Sequence, residues 1–280
     1  MRFSTLNKVA ILTSSQMRHD YFRKSLALCD GIEVVASYCE DGDLLRAMSE
    51  KKNDSDAAIE LAHLDARDRS EEDFFGKFVA LAPDLSNPTH VPRGAINEKE
   101  TAQRIIDLHP DLLIAYGCSI VKPPLLSAFP GKFLNVHLGL SPYYRGAGTN
   151  FWPFVNREPE YAGLTYMYID AGVDTGEIIH QVRPRIFPGD TIHQIGNRLI
   201  SDMSAIYADI IRSFDKLERL EQPPIPKDEK VYMKKHFSAE ATEKMYQNFA
   251  DGMIQDYLAR KPERDSRVPI IKNPALMKVA

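Results

Sequence analysis

The sequence predicts an α/β fold, a mostly parallel sheet flanked by helices, and three observations carry that expectation. Short apolar runs rich in β-branched residues recur along the first two thirds of the chain. Helical patterns of crossover length lie between the early runs, and a long amphipathic helix follows the last.

KVAILT (8–13) reads as the first strand, DYFRKSLALC as a helix and IEVVASY (32–38) as the second strand. Two apolar strands joined by a crossover of this length form a parallel βαβ unit. The polar loop at 14–19 then lies at the carboxyl end of the first strand, where open α/β sheets bind ligands. Residues 43–81 are charged and mostly helical by pattern, with Phe74, Phe75, Phe78 and Val79 on one face, an outer layer or an insertion. Asn97 and Glu100 have capping-box spacing and predict a helix through Ile105, Ile106 and Leu108 that closes before Pro110.

DLLIAYG (111–117) and KFLNVHL (132–138) are the next strands, joined by a short segment that begins at Pro123 and Pro124. SPYYRGAGTN leads into a short helix at 151–157, and GLTYMYI (163–169) and IIHQVRPRI (178–186) read as antiparallel neighbours across DAGVDTGE. Thr191, with Gln194 three residues on, opens a long helix whose apolar stripe is Ile192, Ile195, Leu199, Met203, Ile206, Ile210 and Phe214. The arrangement is Rossmann-like. QPPIP (222–226) then divides the chain into a main domain, 1–220, and a small mixed α/β extension, 221–280. The extension is too short to hold much core and is expected to pack on the main domain.

The 280 residues are 44% hydrophobic and 26% charged, the composition of an ordinary soluble globular protein. A net charge of -4 supplies no basic field for nucleic acid or anionic lipid, so neither is expected as a partner. No run approaches the roughly 18 apolar residues of a membrane span, and MRFSTLNKVAILTSS is a poor signal peptide, which predicts a cytoplasmic protein. Cys29, Cys39 and Cys118 fit neither a disulfide framework nor a Cys-x-x-Cys metal knuckle, and His180 and His193 have no ligand at metal spacing. No metal is expected.

The densest group of reactive side chains lies at 135–176. Asn135 and His137 stand two apart in a predicted strand, so both emerge on one face near its carboxyl end. An amide NH2 can donate to a developing oxyanion, and an imidazole can take or give a proton near neutral pH, which suits acyl transfer. Taken alone, the pair reads more readily as hydrogen-bonded core or edge residues. Asp174, between Gly172 and Gly176 on a predicted loop, would orient the imidazole if it were adjacent, which spacing leaves open.

Asn-x-His in LNVH, then SPYYRG, then Asp-Thr-Gly before an aliphatic pair together resemble the folate-dependent formyltransferase family, from about residue 90 to about residue 187. The resemblance implies that Asn135, His137 and Asp174 are catalytic and that 10-formyltetrahydrofolate is the co-substrate. It implies a pterin held against the backbone of Ser119, Ile120 and Val121, with the loop from Asp170 through Gly172 to Asp174 closing over it. A neutral amine would attack the formyl carbon, with Asn135 and protonated His137 on the oxyanion and Asp174 holding the ring and helping the proton move.

Departures within the resemblance narrow the acceptor. The methionyl-tRNA enzymes carry a basic C-terminal barrel, whereas residues 227–280 have only a small excess of Lys and Arg. The glycinamide ribonucleotide enzymes hold phosphate on a glycine-rich first loop, whereas TSSQMRHDYF has no glycine. Formyltetrahydrofolate hydrolases carry an N-terminal regulatory domain, whereas the first strand here begins at Lys8. What remains resembles the sugar N-formyltransferases, so the expected acceptor is a small amine on a nucleotide-linked sugar for surface polysaccharide such as lipopolysaccharide. Ser15 and Arg18, with His19, can meet a phosphate or end a solvated helix. Tyr143, Tyr144, Arg145 and Gly146 are candidate acceptor contacts, although aromatics beside a turn, as Tyr143, Tyr144 and Trp152 are, more often belong to a core. A silent folate- or nucleotide-binding module and transfer to another small amine stay open. So does the role of Met245, Tyr246, Phe249, Met253, Ile254 and Tyr257: a homodimer interface, a cap over the acceptor, or packing on their own domain.

Overall fold

KVAILT lies within β1 (Asn7–Ser14), followed by α1 (Met17–Ala27) and β2 (Ile32–Glu40), in a computed structural model that describes residues 7–52, 54–224 and 230–277. The charged stretch after β2 forms α2 (Leu44–Glu50), α3 (Ser55–Glu71), a π-turn at Glu72–Gly76, and α4 (Lys77–Leu81). The chain continues through β3 (Pro88–Val91), α5 (Lys99–Asp107), β4 (Leu112–Tyr116), α6 (Leu125–Ala128) and β5 (Phe133–His137). Next come β6 (Tyr144–Gly146), α7 (Trp152–Val155), β7 (Leu164–Tyr168), β8 (Ile178–Val182) and α8 (Ile192–Arg212). The extension contains β9 (Lys230–Tyr232), α9 (Ala239–Ala250), α10 (Met253–Ala259) and α11 (Lys261–Ser266). The predicted break at 222–226 and residues 227–229 fall partly or wholly outside the described residues.

The main sheet has seven strands in the order β3-β2-β1-β4-β5-β7-β8. The first five are parallel, and β7 and β8 run antiparallel, as the sequence predicted. Alternation along β1 feeds both faces: Val9 and Ile11 pack with residues of α1 and α8, and Ala10 and Leu12 with residues of α5 and α6. Strand order reverses between β1 and β4, so the loops after these two strands border the crevice where such sheets take ligands.

Thr191 caps α8 as expected: its hydroxyl accepts from Gln194 N at 3.2 Å and Gln194 Oε1 from Thr191 N at 2.9 Å. Several local expectations are corrected. Asn97 does not cap α5, whose N-cap is Glu98 without a side-chain bond; its amide is engaged by the loop after β4, accepting from Lys122 N at 2.8 Å and donating to Ile120 O at 3.0 Å. The strand predicted to 186 ends at Val182, before Pro184, which lacks the N–H a ladder needs. Of the 74–79 face, Phe75 is buried and stacks on Tyr21 while Phe74 is exposed, because the π-turn alters the helical register there. Phe214 lies beyond α8 in a short 3-10 turn.

The extension packs on its own chain. Met245, Met253, Ile254 and Tyr257 are buried in a second core with Tyr144, Trp152 and Phe154, and Phe249 packs against it. Asn248 donates to Phe154 O and Val155 O at 2.9 Å, and Arg264 pairs with the buried Glu160 at 2.6 Å. Tyr246 is 42% exposed and its hydroxyl lies 3.1 Å from His63 Nδ1. Among the described residues, no helix is long and apolar enough to cross a membrane, no cluster of three or more His, Cys, Asp or Glu is placed to hold a metal, and the three cysteines are free thiols.

Four histidines are held neutral by burial. His63, beside His193 and Arg67, is pushed down to about 3; His193, beside Arg67 and Asp68, to about 4; and His180, beside Lys272, to about 4. His19, beside Arg18, Arg67 and Arg93, is well below the usual range. The unfolded chain takes up these protons near pH 6.5 and the folded one does so only at much lower pH, so the neutral histidines contribute full stability above about pH 6.5 and lose it as pH falls toward 4. The thermal midpoint is therefore expected to drop steadily between about pH 7 and pH 4.5. A midpoint that stays level across this interval, followed by circular dichroism, would contradict the burial of these rings.

Candidate active site

β5 presents Asn135 and His137 on one face, as the two-residue period dictates. The loop between β7 and β8 starts beside the other end of β5, where Ile169 N donates to Phe133 O at 2.8 Å. It lies across that face far enough for Asp174 Oδ2 to stand 3.3 Å from His137 Nδ1. His137 Nε2 donates to the Tyr144 carbonyl at 2.9 Å. Each ring nitrogen thus faces an acceptor, Nε2 in a hydrogen bond to a backbone carbonyl and Nδ1 at ion-pair distance from a carboxylate. The imidazole is 6% exposed and the Asp174 side chain 11%. Asn135 is half-buried, and its amide has no hydrogen-bond partner among the described residues, which leaves it available to a ligand.

The loop is fastened from several sides. Gly146 N donates to Asp174 Oδ2 at 2.8 Å, and Arg145 donates to Val173 O through Nε at 3.0 Å and a terminal nitrogen at 2.8 Å. Asp170 accepts from Gly172 N at 2.9 Å and Thr175 Oγ1 at 2.8 Å, an internal tie that shapes the turn. Gly146 has a φ of 89°, and a Cβ there would lie 2.1 Å from Tyr232 O, because β6 pairs with β9 of the extension.

These contacts revise the reading of the SPYYRG motif. Tyr144 is fully buried, its hydroxyl bonded to Glu158 and to Asn156 Nδ2, and burial raises its pKa. Its side chain is core rather than an acceptor contact. Arg145 is buried and directed at the loop carrying Asp174, and Gly146 supplies a backbone N–H to the same loop. Tyr143 packs edge-on against Tyr161, and Trp152 stacks on Tyr232 at 4.2 Å. Arg18 is also redirected, into an ion pair with buried Glu71 at 2.5 Å. Ser15 is half-buried in the turn after β1.

In the loop after β4, Ser119 N donates to buried Glu40 at 2.6 Å, and Ile120 O accepts from Asn97. The N–H groups of Ile120 and Val121 and the carbonyls of Ser119 and Val121 have no partner among the described residues. That is a mixed donor and acceptor edge of the kind a pterin ring requires. Asp174 as a neighbour of His137, the Tyr144 carbonyl and Gln222, which donates to Asp174 O and Gly176 O, all depend on long-range folding. For the Tyr144 carbonyl and Gln222, no local pattern in the sequence announces the role.

Residues 8–211 match the family model for formyl transferase. A methionyl-tRNA formyltransferase of Desulforamulus reducens is 35% identical over 153 residues, 54% of this chain and 46% of that protein. One of Trichormus variabilis is 34% identical over 155 residues, 54% and 44%. The chain spans about half the length of the curated relatives it matches. Among solved structures, phosphoribosylglycinamide formyltransferase from Anaplasma phagocytophilum has a TM-score of 0.55 at 15% identity, over 81% of this chain and 98% of that one. A sugar N-formyltransferase from Shewanella sp FDAARGOS_354 has 0.52 at 14% identity, over 83% and 78%. At these identities the likeness is one of fold. The family match covers most of the chain and includes Asn135, His137 and Asp174, so this protein belongs to the formyl transferase family, whose members take the one-carbon unit from formyltetrahydrofolate.

Proposed function

We propose that the chain transfers the formyl group of 10-formyltetrahydrofolate to the primary amine of a small acceptor, a nucleotide-linked amino sugar. The observation that carries the chemistry is the His137–Asp174 contact beside an unengaged Asn135 amide. The amine lone pair forms a bond to the formyl carbon as the carbonyl π electrons move to oxygen. The Asn135 amide donates to that oxyanion, and the His137 imidazolium joins it by turning its Nε2–H away from the Tyr144 carbonyl. Asp174 keeps the ring oriented and accepts the proton shed by the new ammonium, directly or through water. Collapse of the oxyanion breaks the bond to the folate nitrogen, which takes up the proton. Ile120 and Val121 would hold the pterin edge, and Asp170 to Asp174 would lie over it. Residues 1–220 would form the catalytic domain, with 221–280 packed on it.

Two features support an amino-sugar acceptor over a ribonucleotide. The loop after β1 contains no glycine, and Arg18 at its helix is committed to Glu71. The curated relatives, which are named for methionyl-tRNA, make that RNA the rival acceptor. The test is formyl transfer from 10-formyltetrahydrofolate to nucleotide-linked amino sugars, glycinamide ribonucleotide and methionyl-tRNA in parallel. Product only with the sugars is the expected result. Product only with the RNA would replace the acceptor and keep the chemistry, and no product with any amine would remove both.

A further inference from the structure

The segment that leads into the extension grips the loop carrying Asp174. Residues 218–222 run along the start of β8: Ile178 N donates to Leu220 O at 2.7 Å, Leu220 N to Ile178 O at 3.0 Å, and Arg219 pairs with Glu177 at 2.9 Å. The strap ends at half-buried Gln222, whose single amide nitrogen donates to Asp174 O at 3.0 Å and Gly176 O at 2.7 Å. Its two hydrogens thus meet two carbonyls that flank Thr175. Asp174 has a φ of 53°, in the left-handed region, which aspartate enters more readily than most L residues but still at a cost, so a bond to its carbonyl helps fix that setting. The support matters because the Asp174–His137 distance of 3.3 Å is already long for a hydrogen bond, and a small rotation at Asp174 would break it.

We propose that Gln222 is a positioning residue for Asp174, and that through it the strap entering the extension sets the carboxylate on His137. The inference rests on the catalytic reading of Asp174 given above. Arg145 and Gly146 hold the same loop from the opposite side, at Val173 O and Asp174 Oδ2. The Gln222 amide is the contact on the Asp174 backbone carbonyl, so it controls the torsion from which the side chain departs.

Full-length Gln222→Met, Gln222→Lys and Asp174→Asn test the assignment. Methionine keeps the length of the side chain and removes the donor; lysine restores a donor of similar reach. Turnover is measured with the acceptor found in the panel above, and the ring nitrogen resonances of His137 are followed without any acceptor. Gln222→Met is expected to lower kcat about tenfold, the scale of one or two hydrogen bonds, with the acceptor KM and thermal midpoint little changed. It should move the His137 resonances toward their position in Asp174→Asn, and Gln222→Lys should recover much of both effects. Wild-type turnover and resonances in Gln222→Met, beside an inactive Asp174→Asn, would overturn the positioning role alone. Full turnover in Asp174→Asn would overturn the catalytic reading and this inference with it.

Discussion

Asn135→Ala is expected to lower turnover about a hundredfold to a thousandfold, the usual cost of losing one donor to an oxyanion. The fold should survive. Asn135 sits in the centre of a five-residue strand held by ladders on both sides, and its amide has no partner among the described residues. Truncation therefore strands no buried group, and the thermal midpoint should move little. Asn135→Asp sharpens the test, since it keeps the shape and replaces the donor with an acceptor. Steady-state kinetics beside thermal unfolding separates the two effects, and wild-type turnover in Asn135→Ala would remove the amide from the chemistry.

Gly146→Val is expected to damage stability and activity together. Its backbone φ of 89° disfavours any side chain, and the new Cβ would lie 2.1 Å from Tyr232 O. Backbone strain of about 1–3 kcal/mol is the minimum cost, and steric exclusion of β9 adds to it. The Gly146 N–H to Asp174 contact of 2.8 Å would be lost as β6 shifts. A displacement of about 1 Å at a catalytic group can cost about a hundredfold in rate, which is the fall expected in kcat at a temperature where the variant is still folded. Wild-type kcat in a folded variant would show that β6 does not hold Asp174.

β1, β2, β4, β5, β7, β8 and α8 were legible in the sequence because each is written locally, in apolar runs and in a three-and-four stripe opened by Thr191 and Gln194; the short β3 and β6 carry no such run and were not. Asn135 and His137 were legible as a pair for the same reason: strand alternation alone puts them on one face. Asp174 was recognised through its motif, yet its contact with His137 depends on how the loop lies across β5. The residues between them stayed ambiguous because SPYYRG looks like an open turn. In the folded chain it pairs with β9, about 85 residues away, which buries Tyr144 and turns Arg145 and Gly146 toward Val173 and Asp174. The partner of Arg18 was not legible either, since Glu71 arrives from a separate helix. Gln222 carries no local signal at all.

The small sheet of β6 and β9 has only two strands of three residues each and stands apart from the seven-stranded sheet. A pair this short is marginal by itself, so its opening free energy lies well below that of the main sheet. The amides of Gly146 and Ala147, bonded to Asp174 Oδ2 and Tyr232 O, are then expected to exchange with solvent while those of β1 and β4 stay protected, which native-state hydrogen exchange would check. On warming, the enzyme would stop working before it melts. Under the catalytic reading of Asp174, the working temperature would then follow the weakest latch on one carboxylate and not the strength of the largest core.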